Sequence, residues 1–173
     1  VRSYGVPTPD GKVFAELKKK YKGVVYKRRI TVPAAEVQPL LAGQRSLADY
    51  GQIGREIAWF QQLYDARPRV FIGYDRIAFA GVADPELRIT FDANIRWRTT
   101  QLELSAGDHG APLLPDDRVL VEVKLPGVCP LWLAHALAEA GAVPVSFSKY
   151  GSCYCHHLLR EQPVPLKEVF PCA

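Results

Sequence analysis

The stretch Lys12–Arg29 contains the densest group of side chains in the sequence that could bind an anion. Residues alternate between charged and apolar along it, and a strand points successive side chains to opposite faces. The first face carries Phe14, Glu16, Lys18 and Lys20, and the second carries Val13, Ala15 and Leu17. Eight basic residues, Lys12, Lys18, Lys19, Lys20, Lys22, Lys27, Arg28 and Arg29, are opposed by Glu16 alone. A strand of this kind turns its charged face either to water or to a wet cavity that holds an anion.

Three later segments repeat the combination of one charged and one apolar face. Their polar and charged positions are Arg76, then Arg88, Thr90 and Asp92, then Glu122 and Lys124. Arginine binds phosphate oxygens through paired N–H groups, and lysine supplies a point charge. A bound Mn²⁺ or Mg²⁺ would need a carboxylate, which either Glu16 or Glu122 provides in mid-strand. The pattern therefore fits phosphate chemistry, with a solvated outer face as the competing interpretation for Lys18, Lys20, Lys27 and Arg29.

Bulk composition places the chain among folded globular proteins. Its 173 residues fit one domain, 48% are hydrophobic and 23% are charged, and the net charge is +4. No apolar run approaches the roughly 18 residues of a transmembrane helix, and no signal peptide is recognisable. Four cysteines, three of them close to the C-terminus, do not form a disulfide framework, so we expect a cytoplasmic protein.

The periodicity predicts strands interspersed with helices. Predicted strands are the hairpin Lys12–Ile30 with its turn at Lys22-Gly23, then Arg69–Ala80, Glu86–Asp92 continuing to Arg98, Arg118–Leu125 and Val143–Lys149. Predicted helices are Ala34–Ala42, Ser46–Ala66 with Ser46 as N-cap, Pro130–Ala140 and Gly151–Glu161, and Ser105–Asp117 is predicted to be a loop. Such strands fit a sandwich, or a barrel that aims its charged faces at one lumen and has no exposed edge.

Six short motifs in a fixed order carry a resemblance to a known family. They are Glu16-Leu-Lys18, Lys27-Arg28-Arg29, Tyr74-Asp-Arg76, Leu87-Arg-Ile-Thr-Phe-Asp92, Val121-Glu-Val-Lys124 and Ser148-Lys-Tyr150. Together they resemble the VTC domain, the polyphosphate polymerase branch of the CYTH-like triphosphate tunnel metalloenzymes. The resemblance extends from about Val1 to Tyr150.

The resemblance implies an α+β fold, with an antiparallel β-barrel that forms a tunnel and helices packed outside it. In this family the tunnel holds a triphosphate or polyphosphate, and a glutamate holds the divalent metal. Matched phosphate-binding residues are Arg2, Lys18, Lys27, Arg76, Arg88 and Lys149, to which the charged strand faces add Arg29 and Lys124. Glu122 matches the metal-binding glutamate, with Glu16 as a second candidate. Catalysis is expected from Lys18, Arg76, Arg88 and Glu122.

Residues 1–173 are predicted to be a single tunnel domain with an irregular tail at 162–173. The first strands of the family are not matched here, so we expect a preceding segment or a second chain to complete the barrel. Any membrane attachment is expected only through parts outside this sequence.

Several functions use the same basic cradle. The resemblance favours transfer of the γ-phosphate of ATP to inorganic polyphosphate, and a metal-dependent triphosphatase or a non-catalytic polyphosphate-binding module are the alternatives. A nucleic-acid-binding domain is not favoured, because Tyr21 and Tyr26 are too few aromatic partners for the basic residues. The cluster Cys153, Cys155, His156 and His157 lacks a second ligand pair for zinc, and whether it binds metal stays open.

Overall fold

The computed structural model describes residues 1–159 and has an α+β fold with antiparallel sheets. The strands are β1 (Lys12–Tyr21), β2 (Val24–Pro33), β3 (Phe71–Ala80), β4 (Arg88–Arg98), β5 (Ala111–Pro112) and β6 (Leu120–Lys124). The helices are α1 (Ala34–Leu41), α2 (Gly51–Tyr64), α3 (Leu131–Glu139) and α4 (Lys149–Cys153), with short 3₁₀ helices at Leu47–Tyr50 and Leu104–Ala106 and a π-helical turn at Tyr154–Leu158.

The described chain divides into two compact units. The first comprises residues 1–71 and 98–109, and the second comprises residues 72–97 and 110–159. Their strands form two separate sheets, one of two strands and one of four, and no closed barrel is found among residues 1–159. No helix in this part of the chain is long and apolar enough to cross a membrane.

In the first unit, β1 and β2 form the predicted hairpin. The strands are antiparallel, with Lys12 opposite Pro33 and Tyr21 opposite Val24. Lys22 and Gly23 join them with φ angles of 46° and 81°. Two successive positive φ angles match the right-handed twist of the strands, and glycine at the second position adopts its angle without strain.

The core of the first unit is built from the predicted apolar face of this hairpin. Val13 and Val32 are almost completely buried, and Ala15, Ile30, Leu40 and Leu47 complete the cluster. Residues of α1 and α2 pack against it, including Val37, Ile53 and Ile57. Because these helices cover the apolar face, the opposite face of β1 is left for charged side chains.

The predicted helix Ser46–Ala66 is interrupted. Ser46 does act as a cap, since its Oγ accepts a hydrogen bond from the Ala48 N–H at 3.1 Å, but it caps a 3₁₀ turn. Gly51 follows with φ 75°, a conformation outside the helical region, and α2 begins there. The helix ends at Tyr64, and the C-cap residue Asp65 takes a left-handed conformation with φ 44°.

The second unit is organised around β4, which is hydrogen-bonded to β3, β5 and β6. Its N-terminal half pairs antiparallel with β6, and Arg96 and Trp97 near its C-terminal end pair with β5. The predicted strand piece that ends at Asp92 does continue to Arg98, with Asn94 at φ 49° between the two halves. The predicted loop Ser105–Asp117 contains β5, whose two residues are too short to show a strand pattern.

The prediction of a strand at Val143–Lys149 is wrong. This segment has no regular structure as far as Ser148, and Val143 and Val145 are 75% and 69% exposed. Alternation alone does not make a strand where no sheet edge accepts its backbone hydrogen bonds. Instead Lys149 begins α4, for which Ser148 Oγ accepts a hydrogen bond from the Gly151 N–H at 3.1 Å. The predicted tail at 162–173 lies outside the described residues.

Candidate functional site

In the first unit, charged side chains gather around Glu16 of β1. Alternation sends its neighbours Ala15 and Leu17 into the core, so the carboxylate lies on the opposite face. The register of the hairpin places Arg29 directly across from it. Arg2 reaches the same place because its backbone forms two hydrogen bonds with Phe14, of 2.9 and 2.8 Å.

We call Glu16, Arg2, Lys27 and Arg29 the Glu16 cluster. One oxygen of the carboxylate, Oε1, faces all three cations, at 3.2 Å from Lys27, 3.6 Å from Arg29 and 3.9 Å from Arg2. These are ion-pair distances, and Oε1 accepts no well-formed hydrogen bond within residues 1–159. The cluster therefore has a surplus of positive charge and loose geometry.

Lys18 extends this basic surface along β1. It lies directly opposite Lys27 in the hairpin, so two like charges face each other across the strands. Within residues 1–159, Lys18 has no ion-pair partner. Like charges in this arrangement destabilise a sheet, which makes the pair a place where a bound anion would be favourable.

In the second unit, charged side chains gather around Asp92 of β4, which is completely buried. Arg76 of β3 donates two hydrogen bonds to it, from Nε at 2.6 Å and from Nη2 at 2.7 Å. Lys149, at the start of α4, lies 2.6 Å from Oδ2 of the same carboxylate. One buried anion thus fixes an arginine in fork geometry and a lysine at the same time.

The electrostatics of this group follow from burial and pairing. Burial alone would raise the pKa of Asp92, but the hydrogen bonds from Arg76 and Lys149 outweigh it and hold that pKa below the ordinary aspartate value. The hydrogen bond to Asp92 in turn raises the pKa of Arg76. Asp92 is therefore ionised and Arg76 stays charged near neutral pH.

The remaining members of this group are Tyr74, Glu122 and Lys124, and with Arg76, Asp92 and Lys149 they form what we call the Asp92 cluster. The Tyr74 ring lies 5.0 Å from the Arg76 guanidinium and 4.6 Å from Lys149 Nζ. Glu122, on β6, is 3.9 Å from Arg76 Nη2 and 3.5 Å from Lys124 Nζ. It is partly exposed, unlike Asp92.

Two further polar groups lie on the same face of β4. Arg88 is exposed, is opposite Lys124 in the β4–β6 register, and has no ion pair within residues 1–159. Thr90 is opposite Glu122, and its Oγ1 is buried without a hydrogen-bond partner in the same range. Buried hydroxyls are usually satisfied, so this one is available to an additional group beside Glu122.

A comparison with protein families identifies the family of the chain. The family model of the VTC domain matches residues 1–157. The chain belongs to the VTC domain family. No curated protein matches it. Membership of this family is consistent with a role connected with polyphosphate.

Within this VTC domain, the predicted site residues divide between the two units. Arg2, Glu16, Lys27 and Arg29 come together in the first, and Arg76, Glu122, Lys124 and Lys149 come together in the second. Lys18 and Arg88 lie beside these clusters without ion pairs in the described chain. The functional assignment of all ten residues stays a prediction.

Asp92 was not among the predicted site residues, although the sequence places it on the charged face of a strand. The available signal was that Asp92 shares a face with Arg88 and Thr90, where an acidic side chain would be expected to meet basic ones. Its burial and its two partners come from β3 and α4, and the pattern of β4 alone does not show them.

The structure gives positions for the cluster Cys153, Cys155, His156 and His157 but does not assign it a ligand. Cys153 is buried, Cys155 is exposed, and the His157 ring stacks on Trp97 with centroids 4.2 Å apart. Within residues 1–159 no three His, Cys, Asp or Glu side chains are arranged to hold a metal ion.

Proposed function

We propose that this chain binds inorganic polyphosphate on the basic faces of its strands and extends it with the γ-phosphate of ATP. The bond between the β- and γ-phosphates breaks, a terminal oxygen of the polymer bonds to the transferred phosphorus, and ADP is released. Family membership supports a role connected with polyphosphate. The observation that carries the proposal is the pairing of Arg76 and Lys149 on one buried carboxylate, which leaves surplus positive charge at a fixed position. The closed tunnel of the family stays a prediction for this chain.

The residues divide by the chemistry of their side chains. Phosphoryl transfer depends mainly on positioning and on neutralising charge, and needs little covalent help from the protein. In this proposal Arg76 and Arg88 each donate paired hydrogen bonds to phosphate oxygens, while lysines act as point charges. The remaining cations, proposed to hold the polymer, are Arg2, Lys18, Lys27, Arg29, Lys124 and Lys149.

The proposed Mn²⁺ or Mg²⁺ fits Glu122 better than Glu16. Three cations face one oxygen of Glu16, which opposes a further positive charge. Glu122 is partly exposed, keeps its two cations at 3.9 and 3.5 Å, and lies opposite the unpartnered hydroxyl of Thr90. A single carboxylate suffices when phosphate oxygens and water supply the other ligands. When bound, the ion would neutralise phosphate charge during transfer.

A synthesis assay on the full chain tests this function. The protein is incubated with ATP and Mn²⁺, polymer is stained on a gel, and released phosphate is measured. We expect polymer from the wild type, and a loss of rate of about a hundredfold or more in Arg76→Ala and Glu122→Gln. Arg67→Ala is the matched control, because this exposed arginine pairs only with nearby Asp65 in the described chain.

The other outcomes of this assay contradict polymer synthesis in distinguishable ways. Metal-dependent release of phosphate without polymer would assign a triphosphatase. Binding of polyphosphate that survives chelation of the metal, with no turnover, would assign a non-catalytic binding module. The pairing of both Glu16 and Glu122 with cations is the observation that favours this second function.

A further inference from the structure

We propose that Asp92 is a positioning residue that holds Arg76 and Lys149 as a pre-formed phosphate-binding pair. This inference rests on the proposed function and adds a role for a carboxylate that the site residues do not include. It also explains why a completely buried acid lies among residues proposed to bind an anion.

The geometry leaves Asp92 no contact with a ligand of its own. Oδ1 accepts a hydrogen bond from Arg76 Nε at 2.6 Å. Oδ2 accepts a hydrogen bond from Arg76 Nη2 at 2.7 Å and forms an ion pair with Lys149 Nζ at 2.6 Å. Its side chain is 0% exposed, so neither phosphate nor metal reaches the carboxylate. Any effect of Asp92 on phosphate must act through the two cations.

Both cations retain capacity for a ligand after pairing with Asp92. Arginine has five N–H donors and lysine has three. Arg76 commits two of its donors to Asp92, and its side chain is still 34% exposed, while Lys149 is 19% exposed. With one anion between two cations, the group keeps a net positive charge toward the solvent side.

The surroundings of the pair restrict its motion. The Tyr74 ring contacts both cations, and Glu122 lies 3.9 Å from Arg76 Nη2. Long basic side chains lose considerable rotamer freedom when they are fixed. Here that ordering occurs when the protein folds, so a phosphate meets cations already in place and binding costs less entropy.

The two possible roles of Asp92, reducing the local positive charge and positioning the two cations, predict opposite effects of Asp92→Asn on anion binding. If Asp92 only reduced the local positive charge, its removal would tighten the binding of an anion. If it positions Arg76 and Lys149, the same substitution weakens binding even though the site has gained a positive charge. The sign of the change therefore separates the two roles.

The experiment measures binding of tripolyphosphate to the full chain by calorimetry, together with KM and kcat for ATP. For Asp92→Asn we expect binding about tenfold weaker and a raised KM with a lowered kcat, by up to about a hundredfold. A merely destabilised protein would instead lose active fraction, which lowers the apparent kcat at unchanged KM. Asp75→Asn is the matched control, because Asp75 is an exposed partner of Arg96 in the same unit.

Unchanged or tighter binding by folded Asp92→Asn would overturn the inference while leaving the proposed function intact. If the wild type binds no tripolyphosphate, the proposed function itself has failed. Should Asp92→Asn not fold, Asp92→Asn/Lys149→Gln removes one anion and one cation together. We expect that double variant to bind several-fold more weakly than Lys149→Gln alone, and equal binding by the two would overturn the inference.

Discussion

The Glu16 and Asp92 clusters contain similar charges in different surroundings. Each is centred on a carboxylate, Glu16 or Asp92, that faces more than one cation from the charged face of a strand. Around Asp92 the contacts are 2.6–2.7 Å, and the carboxylate is completely buried. Around Glu16 they are 3.2–3.9 Å, and the cations are 33–48% exposed.

This difference shows that charge balance alone does not define the role of a carboxylate. Asp92 is a fixed part of the structure, since it is bound through short hydrogen bonds in a place that water does not reach. Glu16 is 16% exposed and attracts its cations through longer contacts, without a well-formed hydrogen bond to Oε1 in the described chain. Because those cations are 33–48% exposed, each pair contributes little. We therefore expect mutations at the two acids to differ in size, in pH dependence and in salt dependence.

The largest expected difference is in folding stability. Asp92→Ala leaves Arg76 and Lys149 without their shared anion, and breaking a buried pair in this way costs about 3–5 kcal/mol. Glu16→Ala removes only long contacts to partly exposed cations and should cost no more than about 1 kcal/mol. Urea unfolding followed by circular dichroism measures both. Equal losses in the two variants would contradict the distinction drawn between the clusters.

The sequence predicted the elements that depend on local signals better than those that depend on contacts between distant parts of the chain. The hairpin β1–β2 was predicted with its turn, because alternation and Lys22-Gly23 are local signals. The α1 and α3 helices were also predicted nearly to their ends. The proposed strand Val143–Lys149 failed, because strand formation needs a pairing partner that local alternation does not specify.

The same limit applies to the candidate site. Most of the candidate cations were named because they belong to short motifs on strands with one charged face, and their roles stay predictions. The place of Asp92 at the centre of its cluster was not predictable, since its burial and its partners require three separate elements, β3, β4 and α4, to converge. Lys149 was proposed from its motif although the segment that contains it was predicted to be a strand, and its role stays a prediction.

The next difference is in acid stability. The pKa of Asp92 is lower in the folded chain than in the unfolded chain, so its ionised form favours folding. That contribution is complete above the ordinary aspartate pKa of about 3.9 and is lost as the pH falls through the folded value. The advantage of the wild type over Asp92→Asn should therefore be constant from pH 7 to 5 and shrink below about pH 4.

Urea midpoints from pH 7 to pH 2 measure this effect. Asp75→Asn serves as the comparison, because hydrogen bonds from Asn94 and Arg96 also lower the pKa of Asp75, but its side chain is 57% exposed. Its change with pH should have the same sign and a smaller size. A gap between wild type and Asp92→Asn that stays constant down to pH 2 would show that Asp92 is not the titrating group.

The smallest expected effect is at Lys18 beside the Glu16 cluster, and it has opposite signs for stability and binding. Lys18→Gln removes one of two like charges that face each other across the hairpin, so it should stabilise the fold by about 0.2–0.5 kcal/mol at low salt. The gain should vanish at 1 M salt, where charges are screened within about 3 Å. Under the proposed function the same variant binds polyphosphate more weakly.

Lys19→Gln, on the other face of β1, is the matched loss of charge and should show neither effect. Unfolding and binding at both salt concentrations decide the matter, because a Lys18→Gln variant that is less stable and binds equally well would make Lys18 an ordinary surface residue.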